Sequence, residues 1–230
     1  MSSRRMQEML YTIEREYGWA AAETGRAAPP RRVLEAMSRV PREEFVPPAM
    51  QAYAYADNAL PIGEGQTISQ PFIVALMTDL LEPEADDVIL EVGTGSGYQA
   101  AVLAELVRKV YSIEVVPSLA REAEQRLQRL GYRNIEVRTA DGYRGLPRES
   151  PFDGIIVTAA ASHVPPPLVE QLEPGGHLVI PVGRPYLPQE LMVLTRDEKG
   201  KVKTRSVLGV AFVPLTGGQG RNLAGEEDAP

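Results

Sequence analysis

Between residues 4 and 17 the apolar side chains Met6, Leu10, Ile13 and Tyr17 recur at helical spacing. That rhythm predicts an amphipathic helix. Gly25 to Pro30 is rich in Pro, Gly and Ala and predicts a loop. Arg31 to Arg39 returns to helical spacing, with Val33, Leu34 and Met37 inward. Residues 41–68 show neither period and predict irregular chain. Pro71 opens a helix bearing Phe72, Ile73, Leu76, Met77 and Leu80, since proline suits a first helical turn. From residue 86 short apolar runs alternate with helical patterns. Strands are predicted at 88–92, 110–114, 134–139, 153–158 and 177–182. Helices are predicted from Tyr98 to Leu106, over 118–130 (stopped by Gly131) and from Pro165 to Leu172. Pro174-Gly175-Gly176 predicts a turn. The segments 189–196 and 202–215 predict two more strands joined by the polar turn Asp197 to Gly200. Such alternation implies an α/β fold, a mostly parallel doubly wound sheet with helices on both faces.

The chain has 230 residues, 43% of them hydrophobic, which suits one domain with a full core. The expected division is an N-terminal helical, substrate-side segment (1–85), a cofactor-binding sheet (86–216) and a mobile tail (217–230). The net charge of −7 argues against a nonspecific nucleic-acid binder, which normally presents a basic face. The absence of cysteine excludes a disulfide framework and a thiol nucleophile, and no metal site is expected. The first residues lack an apolar leader core and no stretch approaches a membrane span. A cytoplasmic monomer is the expectation.

The candidate chemistry centres on Leu90-Glu-Val-Gly-Thr-Gly-Ser-Gly97. A buried strand precedes it and a helix follows. Only glycine lets a backbone turn tightly there and approach a ligand. A dinucleotide site carries G-x-G-x-x-G. Here the glycines are Gly93, Gly95 and Gly97, and Tyr98 stands where the last glycine would be. Glu91 just before the turn would repel a pyrophosphate and attract an ammonium or sulfonium. The loop, with Thr94 and Ser96, therefore reads as a seat for S-adenosyl-L-methionine, with S-adenosyl-L-homocysteine as product, rather than for NAD. Glu114 ends the next strand, where a carboxylate can accept from both ribose hydroxyls. Asp141-Gly142 ends the third strand, where Asp can accept from an adenine amino group and glycine clears the ring's path. The sheet is thus of the S-adenosylmethionine-dependent methyltransferase type, with N-terminal helices.

The fourth strand ends in Thr158-Ala-Ala-Ala161 and lacks the Asn/Asp-Pro-Pro-aromatic motif of base amino-methylation. His163 and His177 are the only histidines, and both read as surface or packing residues. Leu60 to Phe72 is dense in glycine and hydroxyl groups and is not needed by the sheet. Ser69 or Gln70 is expected to cap the Pro71 helix. Ser69 is compatible both with that role and with donation to a substrate carboxylate.

Several stretches together resemble the protein-L-isoaspartate O-methyltransferase family, especially its bacterial form. They are Arg32 to Pro47, Ala59 to Pro71, Leu90 to Gly97, Pro151 to Ala160, Leu172 to Gly183 and Phe212 to Thr216. The glycine loop is common to many methyltransferases. Gly65-Gln-Thr-Ile-Ser-Gln-Pro71 and Val213-Pro-Leu-Thr216 are far more specific. The resemblance implies methyl transfer to the free α-carboxylate of L-isoaspartyl residues in damaged proteins and peptides, initiating repair through a succinimide. It implies that Ser69 is the active-site serine and that Gln66, Thr67 and Ile68 line the pocket with it. It further implies cofactor contacts from Ser96, Glu114-Val115 and Asp141-Gly142, with Thr216 closing the site. Phe72 departs from relatives that carry histidine there. Residues before 31 and after Gly217 do not follow the pattern.

The alternative is an S-adenosylmethionine enzyme acting on a small molecule or nucleic acid, which would keep the cofactor site and change the acceptor. A non-catalytic module would have an eroded loop or lack Glu114. Tyr98 and Glu91 disfavour an NAD oxidoreductase.

Overall fold

The structure, a computed structural model, describes residues 2–184 and 187–217. Helix α1 spans Ser2–Thr24 and buries Met6, Met9, Ile13 and Tyr17. It runs past the apolar rhythm because Ala20, Ala21 and Ala22 favour helix without needing burial. Gly25, at φ +71°, ends it. Helix α2 covers Arg31–Arg39, as expected.

The stretch predicted to be irregular contains more order than its pattern shows. Short 3-10 turns occupy Arg42–Phe45 and Pro48–Tyr53. Strands β1 (Leu60–Gly63) and β2 (Gln66–Ile68) then pair as an antiparallel hairpin. Strands this short give no readable alternation. Gly63, Glu64 and Gly65 all take positive φ at its tip.

Helix α3 (Pro71–Leu81) is buried nearly all round, between α1 and α2 outside and the sheet within. The sheet follows from β3 (Val88–Val92), β4 (Lys109–Glu114), β5 (Ile135–Thr139), β6 (Phe152–Val157), β7 (Leu172–Val182), β8 (Gln189–Arg196) and β9 (Val202–Val210). Its order is β5-β4-β3-β6-β7-β8-β9. The pairs from β5 through β7 are parallel, and β8 and β9 join antiparallel. Helices α4 (Tyr98–Ala104), α5 (Pro117–Arg129) and α6 (Pro166–Glu170) supply the crossovers. The sheet is therefore the expected α/β type.

Two expectations are corrected. Pro174-Gly175-Gly176 is not a turn between elements but lies inside β7. The strand bulges there, and Gly176 passes too close to the Asp153 carbonyl for any side chain. Glycine within a strand commonly marks such an approach. The strand predicted over 202–215 stops at Val210. The remainder, with Pro214 unable to donate to a ladder, crosses to Ala160. Ala160 N–H donates to Val213 O, and Leu215 N–H to Ala160 O, both at 2.8 Å. Of the tail expected to be mobile, residues 218–230 lie outside the described residues.

Period-two alternation sorts the strands into two cores. Ile89, Val110, Ile156, Val179 and Leu191 face the layer of α1 to α4. Leu90, Val92, Ile113, Ile155, Leu178 and Ile180 face α6 and Leu215. Strand order reverses between β3 and β6, and in open α/β sheets ligands bind at the carboxyl ends beside that reversal.

Candidate active site

A cavity opens at that point. Residues from the hairpin, the glycine loop, the end of β4, the turn after β5 and the 213–216 crossing line it. Gln66, Thr67, Ile68, Ser69, Glu91, Gly93, Thr94, Gly95, Ser96, Glu114, Val115, Gly142 and Thr216 all reach it. Gly97 and Asp141 are not in its wall. Gly97, at φ +87°, stands before α4 with its open face against Leu127 and Ala123 of α5. A Cβ there would lie 3.2 Å from Leu127 Cδ1, so this glycine allows close helix packing. Asp141 Oδ1 accepts from the Tyr143 N–H at 3.0 Å, and Gly217 lies against the same carboxylate.

The glycine loop is held by the strands beneath it. Gly93 and Thr94 both donate to Ile113 O, at 2.8 and 3.1 Å. Gly93 has φ +102°, and an added Cβ would come 2.5 Å from Thr158 Oγ1. Thr158 in turn donates to Gly93 O at 2.6 Å. Glu114 Oε2 accepts from the Gly95 N–H at 2.9 Å, and its Oε1 from the Val116 N–H at 3.0 Å. The acid expected to grip a ribose thus also fastens the loop to the end of β4. Each of its oxygens keeps a further lone pair for a ligand hydroxyl.

Glu91 and Ser112 are register partners on β3 and β4, so their side chains share one face. Ser112 Oγ donates to Glu91 Oε2, and Thr94 Oγ1 lies 2.6 Å from Ser112 Oγ. Glu91 Oε1 makes no hydrogen bond; the nearby Ala100 amide and Ser112 only partly offset its burial. Burial pushes the carboxyl up to about 8, aided by the negative Glu114. The expected anionic Glu91 is thus largely neutral at pH 7, because complete burial penalises its charged form.

The hairpin covers the loop from above. Ile62 Cδ1 comes within 3.4 Å of a Cβ placed on Gly95. Ser118 Oγ, at the start of α5, donates to Glu64 Oε1 at the hairpin tip (3.0 Å). Neither Ser69 nor Gln70 caps α3 with its side chain. Asp57 does so instead: its Oδ1 accepts from the Phe72 N–H at 3.0 Å, and its Oδ2 from Gln70 Nε2 at 2.6 Å. A cap 15 residues upstream lies outside the local pattern that capping rules read. Sequence reasoning also gave no role to Arg42. This side chain is fully buried. Its Nη2 donates to Ser69 O at 2.7 Å and its Nε to Ala54 O at 2.8 Å. Its guanidinium carbon lies 4.7 Å from the centre of the Tyr98 ring. Nothing in the local pattern singles it out, because it stands beside Glu43 and Glu44 in a stretch with no hydrophobic period.

The two histidines lie outside the cavity wall. His163 is exposed, its Nδ1 3.0 Å from Ser162 Oγ. His177 Nε2 lies 3.9 Å from Glu82 Oε2.

A model of the family "Protein-L-isoaspartate(D-aspartate) O-methyltransferase (PCMT)" matches residues 20–220. The chain belongs to this family. A protein-L-isoaspartate O-methyltransferase 2 of Nitrosococcus oceani is 60% identical over 211 residues, covering 92% of this chain and 96% of its own. One of Syntrophobacter fumaroxidans is 58% identical over 211 residues, covering 92% and 85%. Among solved structures, a protein-L-isoaspartate O-methyltransferase superposes with TM-score 0.79 at 26% identity, covering 92% of this chain and 66% of that one. A Plasmodium falciparum PCMT in complex with S-adenosyl-L-homocysteine gives TM-score 0.75 at 25% identity, covering 91% and 97%.

The cavity has the features such a ligand requires. At Gly93 and Gly142, both in its wall, the backbone packs too tightly for a side chain, since a Cβ would meet Thr158 Oγ1 at 2.5 Å and Val92 Cγ1 at 2.6 Å. Glu91, with one buried oxygen unpaired, is also in the wall.

Proposed function

We propose that this protein transfers a methyl group from S-adenosyl-L-methionine to the free α-carboxylate of L-isoaspartyl residues in damaged proteins and peptides. Spontaneous cyclisation of the ester to a succinimide then begins repair. The observation that carries this reading is the position of Ser69. It lines the cofactor cavity and also an outer groove between α1 and the β8–β9 edge. An acceptor entering from outside meets the cavity at this serine.

When bound, the cofactor supplies an electrophilic methyl group on a sulfonium. Gly93, Thr94, Gly95 and Ser96 form its cradle, and Glu114 with Val115 takes the ribose. Gly142 leaves room for the adenine. Asp141 and Gly97 support the site from behind, through the turn after β5 and the packing of α4. Gln66, Thr67, Ile68 and Thr216 close over it and exclude water. Ser69 orients the acceptor carboxylate. That carboxylate is already ionised at neutral pH, so no base has to remove a proton. This agrees with both histidines lying off the cavity wall. The protein's contribution is alignment, which can supply about 7–11 kcal/mol where the geometry is good.

The whole chain acts as one methyltransferase domain, with 1–85 on the substrate side and 86–216 holding the cofactor. Among the described residues no helix is long and apolar enough to cross a membrane. With a net charge of −7, the chain is best read as a cytoplasmic monomer acting on polypeptide, not nucleic acid. The deciding experiment compares an isoaspartyl peptide with its normal aspartyl twin, using radiolabelled methyl donor. A base-labile ester should form on the isoaspartyl peptide with little on the other. Equal labelling, or none, refutes the substrate.

A further inference from the structure

The outer groove that meets the cavity at Thr67 and Ser69 has its own chemistry. One wall is the face of α1 bearing Glu16, Trp19 and Glu23, and the other is Glu190 with Leu208 to Phe212. Asp57 stands at the inner end. Among the described residues no lysine, arginine or histidine lines it. The Asp57 carboxylate is committed to the α3 cap. Glu190 accepts only from Ser206 Oγ, at 2.7 Å, and Glu16, Glu23 and Glu190 form no ion pair among the described residues. Arg15, next to Glu16, is turned over the Trp19 ring at 4.7 Å, and Arg205 of β9 is engaged with Thr24 O at 3.2 Å. Trp19 is 67% exposed and, with Phe72 and Phe212, gives the groove an apolar lining. Strand β9 is the last of the sheet, and Gly209 faces open space. Exposed strand edges accept extended peptide.

We propose that this groove seats the polypeptide flanking the methylated residue, and that Glu16, Glu23 and Glu190 select segments carrying lysine or arginine there. The inference rests on the substrate reading above. It follows from continuity with Ser69 and from charge. Uncompensated carboxylates draw in cationic side chains and reject anionic ones, while the apolar lining takes their methylene stems. Because these acids stand away from the reacting atoms, they act on acceptor binding and not on the chemical step.

The test uses two isoaspartyl hexapeptides that differ only in flanking residues, lysine in one and glutamate in the other. Wild-type protein should show kcat/KM about five- to ten-fold higher for the lysine peptide, the range that a few exposed ion pairs supply. The difference should lie in KM and shrink at high salt. In Glu16→Gln/Glu23→Gln/Glu190→Gln the two peptides should converge to within about two-fold, with the KM for S-adenosylmethionine unchanged. Equal wild-type rates, or a lysine preference that survives the triple substitution, would overturn the groove's role while leaving isoaspartyl methylation standing. If neither peptide is methylated, the substrate reading falls and takes this inference with it.

Discussion

The glycine-loop end of the sheet and the covering segment from Arg42 to Pro71 solve the burial of polar groups in opposite ways. At the loop, acids are buried. Glu91 and Glu114 are at most 7% exposed, and their partners are Ser112 and backbone amides of the loop and strand end. In the covering segment a cation is buried, and it bonds to backbone carbonyls and forms no ion pair among the described residues, although Asp57 attracts it at longer range. The loop's order is carried by strands adjacent in the sheet. The cover's order depends on two side chains, Arg42 and Asp57, each reaching across intervening chain to the start of α3. Ser69 lies where the two systems meet. Arg42 and Asp57 fasten Ser69 and the start of α3 rather than the residues over the glycine loop, so losing either should cost the acceptor half more than the cofactor half.

Arg42→Ala is the strongest way to break that contrast. It removes a large buried side chain and strips donors from Ala54 O and Ser69 O, which should cost about 3–5 kcal/mol. In the fraction that remains folded, S-adenosylmethionine affinity should be nearly kept while the peptide KM rises. Denaturant melts and calorimetric titration on the same variant check both halves. Equal loss of both ligands would mean that the regions are not separable.

Gly93→Ala attacks the other side. Alanine at φ +102° with Thr158 Oγ1 2.5 Å from its Cβ should cost about 2–3 kcal/mol. Cofactor binding should fall steeply. Gly95→Ala, whose Cβ meets only Ile62 at 3.4 Å, should be milder, and calorimetry would rank the two. The reverse order would show that the loop is not braced as described.

The third effect is in pH. Glu91 ionises at an ordinary 4.5 when unfolded and at about 8 when folded. The unfolded chain therefore releases this proton first. Its contribution to stability is intact below 4.5, declines as pH rises, and is fully lost above about 8. Glu91→Gln lacks that decline, so its melting temperature should gain on wild type across this window. Parallel curves would place an ionised Glu91 in the folded protein at neutral pH.

The two regions were also unequally legible. The glycine loop, Glu114 and Gly142 could be read because strand, turn and helix follow one another in sequence, and strand ends on one sheet edge are neighbours by topology. Asp57 could not be read as the α3 cap, because its distance from Phe72 in sequence is set by the fold of the intervening hairpin. Arg42 looked like an ordinary charged residue beside Glu43 and Glu44. Nothing local marks a guanidinium whose partners are carbonyls 12 and 27 residues away.

By itself the sequence determined the alternating elements and the mostly parallel sheet, because hydrophobic period and turn chemistry act over a few residues. It also held the family likeness in residues 59–71 and 212–216. Tertiary structure alone decided the strand order, how Val213 to Thr216 return to Ala160, which carboxyl caps α3, what a buried arginine holds, and that burial pushes the Glu91 carboxyl up. Those outcomes depend on desolvation and on partners brought together from distant chain, and neither exists until the sheet and its cover have closed.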